Sequence, residues 1–188
     1  MTTAAALDRT YTPEEIDGWD EGGLYELDAQ GRLVGRAMGV ESDEIASIID
    51  GVLGPFVRAN RLGRVILGGT GLRIFPARPL RLPRGDVVFI SRERLPHKTR
   101  GLLDVPPDLV VEVVSPGDKA EGLFAKVHEY LDAGVRLVWI VYPEARRIVV
   151  YRLDGSLDDL GPEATISGEA VIPGFEARVG GLFPDDWE

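Results

Sequence analysis

The stretch Pro107-Asp108-Leu109-Val110-Val111-Glu112-Val113-Val114-Ser115-Pro116-Gly117 decides the fold. Its apolar run is almost continuous between two proline-bounded ends, the pattern of a strand covered on both faces, so it belongs in the middle of a sheet with a layer on each side. Side chains alternate along a strand, which puts Asp108, Val110, Glu112 and Val114 on one face and Leu109, Val111 and Val113 on the other. An ionised carboxylate in such a place is costly unless it is paired, hydrogen-bonded or bound to a cation. Glu112 is therefore the most informative residue of the chain.

Downstream, Leu123, Phe124, Val127, Tyr130 and Leu131 share one face of a helix expected over 118–133, with Gly134 as its stop. Strands at 135–141 and 147–151 follow, joined through Pro143-Glu144-Ala145-Arg146. Upstream, strands are expected at Val65-Ile66-Leu67, Leu72-Arg73-Ile74-Phe75 and Asp86-Val87-Val88-Phe89-Ile90. Before them, Ser42 reads as the N-cap of a helix over 43–60, with Ile45, Ile48, Ile49, Val52, Leu53 and Phe56 at helical spacing. Pro55 lies inside it and is expected to kink or split it. A hairpin is expected around Asp28-Ala29-Gln30-Gly31, joining 24–27 to 32–38, and a short strand near 169–172. The sum is an α/β protein bordering on α+β, one domain over 1–188 with a mixed central sheet flanked by two main helices and a flexible N-terminus at 1–12.

Composition narrows the chemistry. The 188 residues include no Cys and two His, so disulfides, thiolate nucleophiles and Cys-type zinc sites are excluded, and a metal would be held by carboxylates, which suits a hard ion such as Mg²⁺ or Mn²⁺. The sequence has no apolar run long enough for a membrane span and no secretory pattern at Met1 to Ala6, and a cytoplasmic location is expected. The net charge of −10 is strongly segregated: residues 58–100 carry +9, whereas 1–57 carry −9 and 154–188 carry −8. The basic stretch reads either as a solvated face or as a phosphate-tracking surface for DNA or RNA, with Arg73, Arg78, Arg81 and Arg84 nearest to Asp86. The acidic segments should then face away from that track or cover it, in which case the tail after Asp154 would have to move. Gly68-Gly69-Thr70-Gly71 lacks the lysine and helix of a phosphate loop and reads as a tight turn.

Asp86 opens an apolar strand, and if that strand neighbours 108–114, Asp86 and Glu112 can converge on one metal ion. On a helical wheel Lys126 falls on the flank of the buried face, close to Tyr130, where a long side chain can reach back toward the sheet. Two strand carboxylates and a lysine form a set that can bind a divalent cation, polarise a phosphodiester and steady developing charge. Structural alternatives stand beside each reading. Glu112 could pair with an arginine such as Arg136, Asp86 could cap a turn, and Lys126 could be solvated. Asp108 could simply begin its strand, while Lys119 and Tyr130 could serve surface and packing.

The 107–116 stretch, followed by Lys126-Val127-His128-Glu129-Tyr130, Ala133-Gly134-Val135, Val138-Trp139-Ile140-Val141 and Tyr142-Pro143, closely resembles the Uma2 family, formerly a domain of unknown function, in the restriction-endonuclease-like PD-(D/E)XK superfamily. Weaker similarity at Tyr25-Glu26-Leu27, Gly85 to Ile90 and Ile172-Pro173-Gly174-Phe175 extends it to about 13–183. The resemblance implies a restriction-endonuclease-like fold and a Mg²⁺- or Mn²⁺-dependent phosphodiesterase of nucleic acid, with Asp86 and Glu112 as metal ligands and Lys126 as the catalytic lysine, moved to the helix from the usual position, here Val114. Glu26, which matches a recurrent family glutamate, is a secondary candidate, as are Asp108 and Tyr130. The proline that usually precedes the first acid is Gly85, and the histidine often found in the first helix is absent. A homodimer is compatible with the resemblance. So is a non-catalytic binding or assembly protein that retains the nuclease fold.

Overall fold

The structure, a computed structural model, describes residues 9–185 apart from 21, 37, 38, 96, 98 and 99. Most of the expected N-terminal segment, the hairpin residues Ala37 and Met38, and Lys98 therefore lie outside the described residues. The first element is a short helix, α1 (Pro13–Asp17), with a reciprocal cap between Thr12 and Glu15. The expected hairpin follows as β1 (Tyr25–Leu27) and β2 (Leu33–Gly35), closed by Asp28, whose carboxylate accepts the N–H groups of Gln30 and Arg32.

Helix α2 (Val40–Ala59) begins earlier than Ser42: Gly39 is the N-cap, and the Ser42 hydroxyl, one turn in, accepts the Gly39 N–H at 3.1 Å. Pro55 does not split it: the helix continues through Gly51, Gly54 and Pro55 to Ala59. Beyond β3 (Gly63–Leu67) the expected strand at 72–75 is irregular: Leu72 donates to Pro83 and Arg73 to Leu103, so no single neighbour supplies a ladder. The core strands β4 (Val87–Ser91) and β5 (Leu109–Val113) lead into α3 (Ala120–Asp132), then β6 (Leu137–Tyr142) and β7 (Arg147–Arg152). The tail adds β8 (Leu157–Leu160), β9 (Thr165–Ser167) and β10 (Glu176–Arg178), whereas the strand expected near 169–172 is a turn.

The main sheet runs β3-β4-β5-β6-β7-β8, antiparallel throughout except for β5 and β6, which are parallel because α3 carries the chain back between them. Leu109, Val111 and Val113 face one core with Ile45, Ile49 and Leu53 of α2. Val110 faces the other, with Val127 and Tyr130 of α3, so Glu112 lies on the α3 side as its alternation requires. Phe124 departs from expectation: it is 60% exposed, off the stripe formed by Val127 and Tyr130, with its ring against His128. The acidic tail is also not a movable cover. Ile166, Ile172, Phe175, Val179 and Leu182 are buried in the α2-side core, so this segment is part of the fold. Among the described residues no helix is long and apolar enough to cross a membrane.

Candidate active site

Strand pairing aligns the two carboxylates. Val87 stands opposite Val111 across β4 and β5, and carrying that antiparallel register one residue further sets Asp86 against Glu112. Just before β4 begins, the Asp86 N–H donates to the Val111 carbonyl at 3.0 Å and its carboxylate Oδ2 accepts the Val113 N–H at 2.8 Å, so backbone and side chain both tie it to β5. The glycine before it has a steric reason, since a Cβ on Gly85 would lie 2.8 Å from Val110 Cγ1.

The α3 side chains meet these strands as the flank position predicts. Lys126 Nζ donates to Glu112 Oε2 at 2.9 Å and to Glu26 Oε1 at 2.8 Å, and one turn on Tyr130 OH donates to Glu112 Oε1 at 2.7 Å. Glu26, from β1, also accepts the Arg84 N–H at 3.1 Å and lies 3.6 Å from Arg81 Nη1. Arg36, just past β2, donates from Nη2 to Asp86 Oδ1 at 2.8 Å. Glu26, Arg36, Asp86, Glu112 and Lys126 line one pocket of about 350 Å³. Arg36 was not anticipated. Its signal in the sequence is slight: a rare cation in an acidic N-terminal third, at the end of a hairpin that the tertiary fold lays over the strands.

The site is electrostatically strained toward the cation side. Burial pushes the Glu112 carboxyl up to about 7 against the pull of Lys126, and the neighbouring carboxylates of Asp86 and Glu26 add to the rise. Burial likewise raises Asp86, opposed by the Val113 N–H and Arg36. Burial also acts on Glu26, but there Lys126 and Arg81 outweigh it and hold the carboxyl below its usual range. Lys126 is raised despite its burial, because Glu112 and Glu26 face it.

Other sequence candidates fall elsewhere. Asp108 sits at the opposite end of β5 from Val113, buried, where it accepts the Ser91 N–H at 2.7 Å and pairs with Arg94 at 3.1 Å and Arg136 at 3.3 Å. It is a structural acid, and it takes the arginine that had been a candidate partner for Glu112. Arg73 is paired with Asp104 and Glu14, and Arg78 and Arg81 share Glu129. Arg84 is 3% exposed and donates from Nε to the Tyr25 carbonyl. Arg81 and Arg84 line the pocket, whereas Arg73 and Arg78, both partly exposed, pair with acids at the surface.

The carboxylates of the pocket offer only oxygen, which would suit a hard divalent cation at Asp86 and Glu112; the rise of the Glu112 carboxyl comes first from burial, with the negative charges of Asp86 and Glu26 adding to it. Against that, Arg36, Lys126, Tyr130 and the Val113 N–H already reach the four oxygens of these two acids. Among the described residues no group of three or more His, Asp or Glu is arranged to hold a metal ion. The fit is thus a two-carboxylate one.

Comparison with known proteins agrees with this fold. Residues 13–180 match the model of Uma2, described as "Putative restriction endonuclease". The crystal structure of a "putative nuclease belonging to DUF820" from Anabaena variabilis ATCC 29413 superposes with a TM-score of 0.76 at 18% identity, covering 92% of this chain and 97% of that one. No curated protein matches the chain in sequence.

Proposed function

The chain belongs to the Uma2 family, and on that premise we propose that it is a metal-dependent endonuclease-like phosphodiesterase acting on nucleic acid. The observation that carries this reading is the convergence of Asp86 just before β4, Glu112 of β5 and Lys126 of α3 on one pocket. Mg²⁺ or Mn²⁺ held by Asp86 and Glu112 would polarise a phosphodiester and make water a stronger nucleophile. Lys126 keeps a positive charge beside the reacting phosphate, Glu26 holds its ammonium from the far side, and Tyr130 fixes the orientation of Glu112. Arg36 is positioned to exchange its Asp86 partner for a phosphate oxygen.

A specific observation favours a second reading, a nuclease fold retained for binding: all four oxygens of the two acids already have donors within the chain. Nicking of supercoiled DNA and of a folded RNA with Mg²⁺ or Mn²⁺ separates the two. The proposal expects nicking that falls by at least about 10²-fold in Glu112→Gln, whose shape is kept but whose charge is lost. No nicking by the wild type under any of these conditions, or equal nicking by Glu112→Gln, rejects it.

A further inference from the structure

Among the described residues, Arg58, Arg61, Arg64, Arg92 and Arg100 make neither an ion pair nor a side-chain hydrogen bond with another described residue, and all five are exposed. All come from the basic stretch 58–100, whose arginines nearest to Asp86 in sequence each have a partner within the chain. Four of the free ones share one corner. Arg58 is in the last turn of α2, Arg61 in the turn that follows, and Arg64 in β3. Arg92 lies just past β4, where its N–H donates to the Leu62 carbonyl at 2.9 Å. Strand β3 is the outer strand of the sheet, so this corner opens to solvent. Of the neighbouring acids, Glu93 is exposed, Asp86 belongs to the pocket, and Asp50 lies with Arg58 over Gly54 beyond ion-pair distance.

Arg61 provides an independent observation. Its φ is 54°, and the Arg61 N–H to Arg58 carbonyl and Leu62 N–H to Val57 carbonyl bonds, at 3.2 and 3.1 Å, close α2 in the manner that normally places glycine at this position. Among the described residues two other non-glycine residues adopt positive φ, and each has an internal use for its side chain. Arg146 donates to the Pro184 carbonyl, and Glu169 pairs with Arg152. Arg61 has no such use among the described residues. A side chain kept at a backbone position that disfavours it, with its charge turned to solvent, points to an anionic ligand.

We infer that this corner binds the sugar–phosphate backbone of double-stranded DNA, an assignment that rests on the nuclease reading for the identity of the polyanion. Guanidinium groups suit phosphate oxygens through their planar fork. The corner is not the pocket: Arg92 lies six residues along β4 from Asp86, about 20 Å at strand rise. These arginines therefore hold the duplex without touching the reacting phosphate, and their loss raises KM and leaves kcat in place.

The test is fluorescence anisotropy of a labelled DNA duplex of about 20 base pairs with the full chain in EDTA, over about 50–200 mM salt. In the Arg58→Gln/Arg61→Gly/Arg64→Gln/Arg92→Gln variant, affinity should fall at least about tenfold and the log–log salt slope should flatten by roughly 3 to 4, close to 0.9 for each phosphate no longer neutralised. Arg61→Gly alone should weaken binding while the melting temperature stays the same or rises by a few degrees, because glycine relieves the left-handed backbone. Unchanged affinity and slope overturn the inference, as does a wild type that does not bind the duplex at low salt. Arginine-dependent binding of polyglutamate without DNA binding also overturns it, in favour of an acidic protein partner. The nuclease reading fails separately. If DNA binding depends on the arginines but Glu112→Gln leaves nicking unchanged, the pocket assignment falls and the DNA surface stands.

Discussion

Replacing Lys126 with Met keeps most of the stem but removes the ammonium that lies 2.9 Å from Glu112 and 2.8 Å from Glu26, both nearly buried. Breaking a buried pair by deleting one partner costs roughly 3–5 kcal/mol, because the remaining charge is left uncompensated. Two acids share this cation, so the upper part of that range applies when both are ionised. The pH dependence follows from the two carboxyls. Glu112 is raised from the ordinary 4.5 to about 7, so its contribution to stability is complete below about 4.5 and declines as pH rises through 7, by on the order of 3 kcal/mol. Glu26 is held below its usual range, so its contribution is complete above that range and is lost as pH falls through the depressed value. Without the ammonium both carboxyls titrate higher. The variant should therefore lose about 4–5 kcal/mol near pH 8, a fall in melting temperature of roughly 10–15 °C, and much less near pH 5, where protonated carboxyls need no cation. Urea titrations followed by tryptophan fluorescence at the two pH values measure this directly. A loss that is equal at both, or under about 1 kcal/mol at pH 8, refutes the reasoning.

Two further substitutions probe the same pocket from other sides. Tyr130→Phe removes the 2.7 Å bond to Glu112, which should cost about 1.5–3 kcal/mol in denaturant melts and, because that bond lowers the Glu112 carboxyl, move the acidic limb of the nicking pH profile upward. A profile that does not move contradicts the positioning role. Arg36→Ala frees Asp86 Oδ1, so calorimetric Mn²⁺ affinity should rise by about fivefold, the equivalent of about 1 kcal/mol; unchanged or weaker binding argues that Arg36 does not compete for that oxygen.

The strand Leu109–Val113 and the helix after it were legible because burial on two faces and 3.6-residue spacing are properties of adjacent residues. So was the face of Glu112, since strand alternation has a period of two, and so was the reach of Lys126 from the edge of the α3 stripe. The irregular run at 72–75 and the tail strands were not legible. Whether a short apolar segment becomes a strand depends on a neighbour's unpaired edge, which local pattern does not reveal.

The sequence by itself determined the central strand, the two acids that bear on it, the lysine flank and a basic middle segment, each carried by residues close together in the chain. Tertiary structure alone decided how the charges are spent. Arg36 reaches Asp86 across 50 residues and Glu26 reaches Lys126 across 100, whereas Arg136, a candidate for Glu112 on sequence grounds, belongs to Asp108. Within the basic stretch it separated Arg73, Arg78 and Arg81, neutralised by acids from distant elements, from Arg58, Arg61, Arg64 and Arg92, which have no ion-pair partner among the described residues. The physical reason is that an ion pair forms only within a few ångströms, and which charges come that close depends on how the chain packs rather than on their order along it.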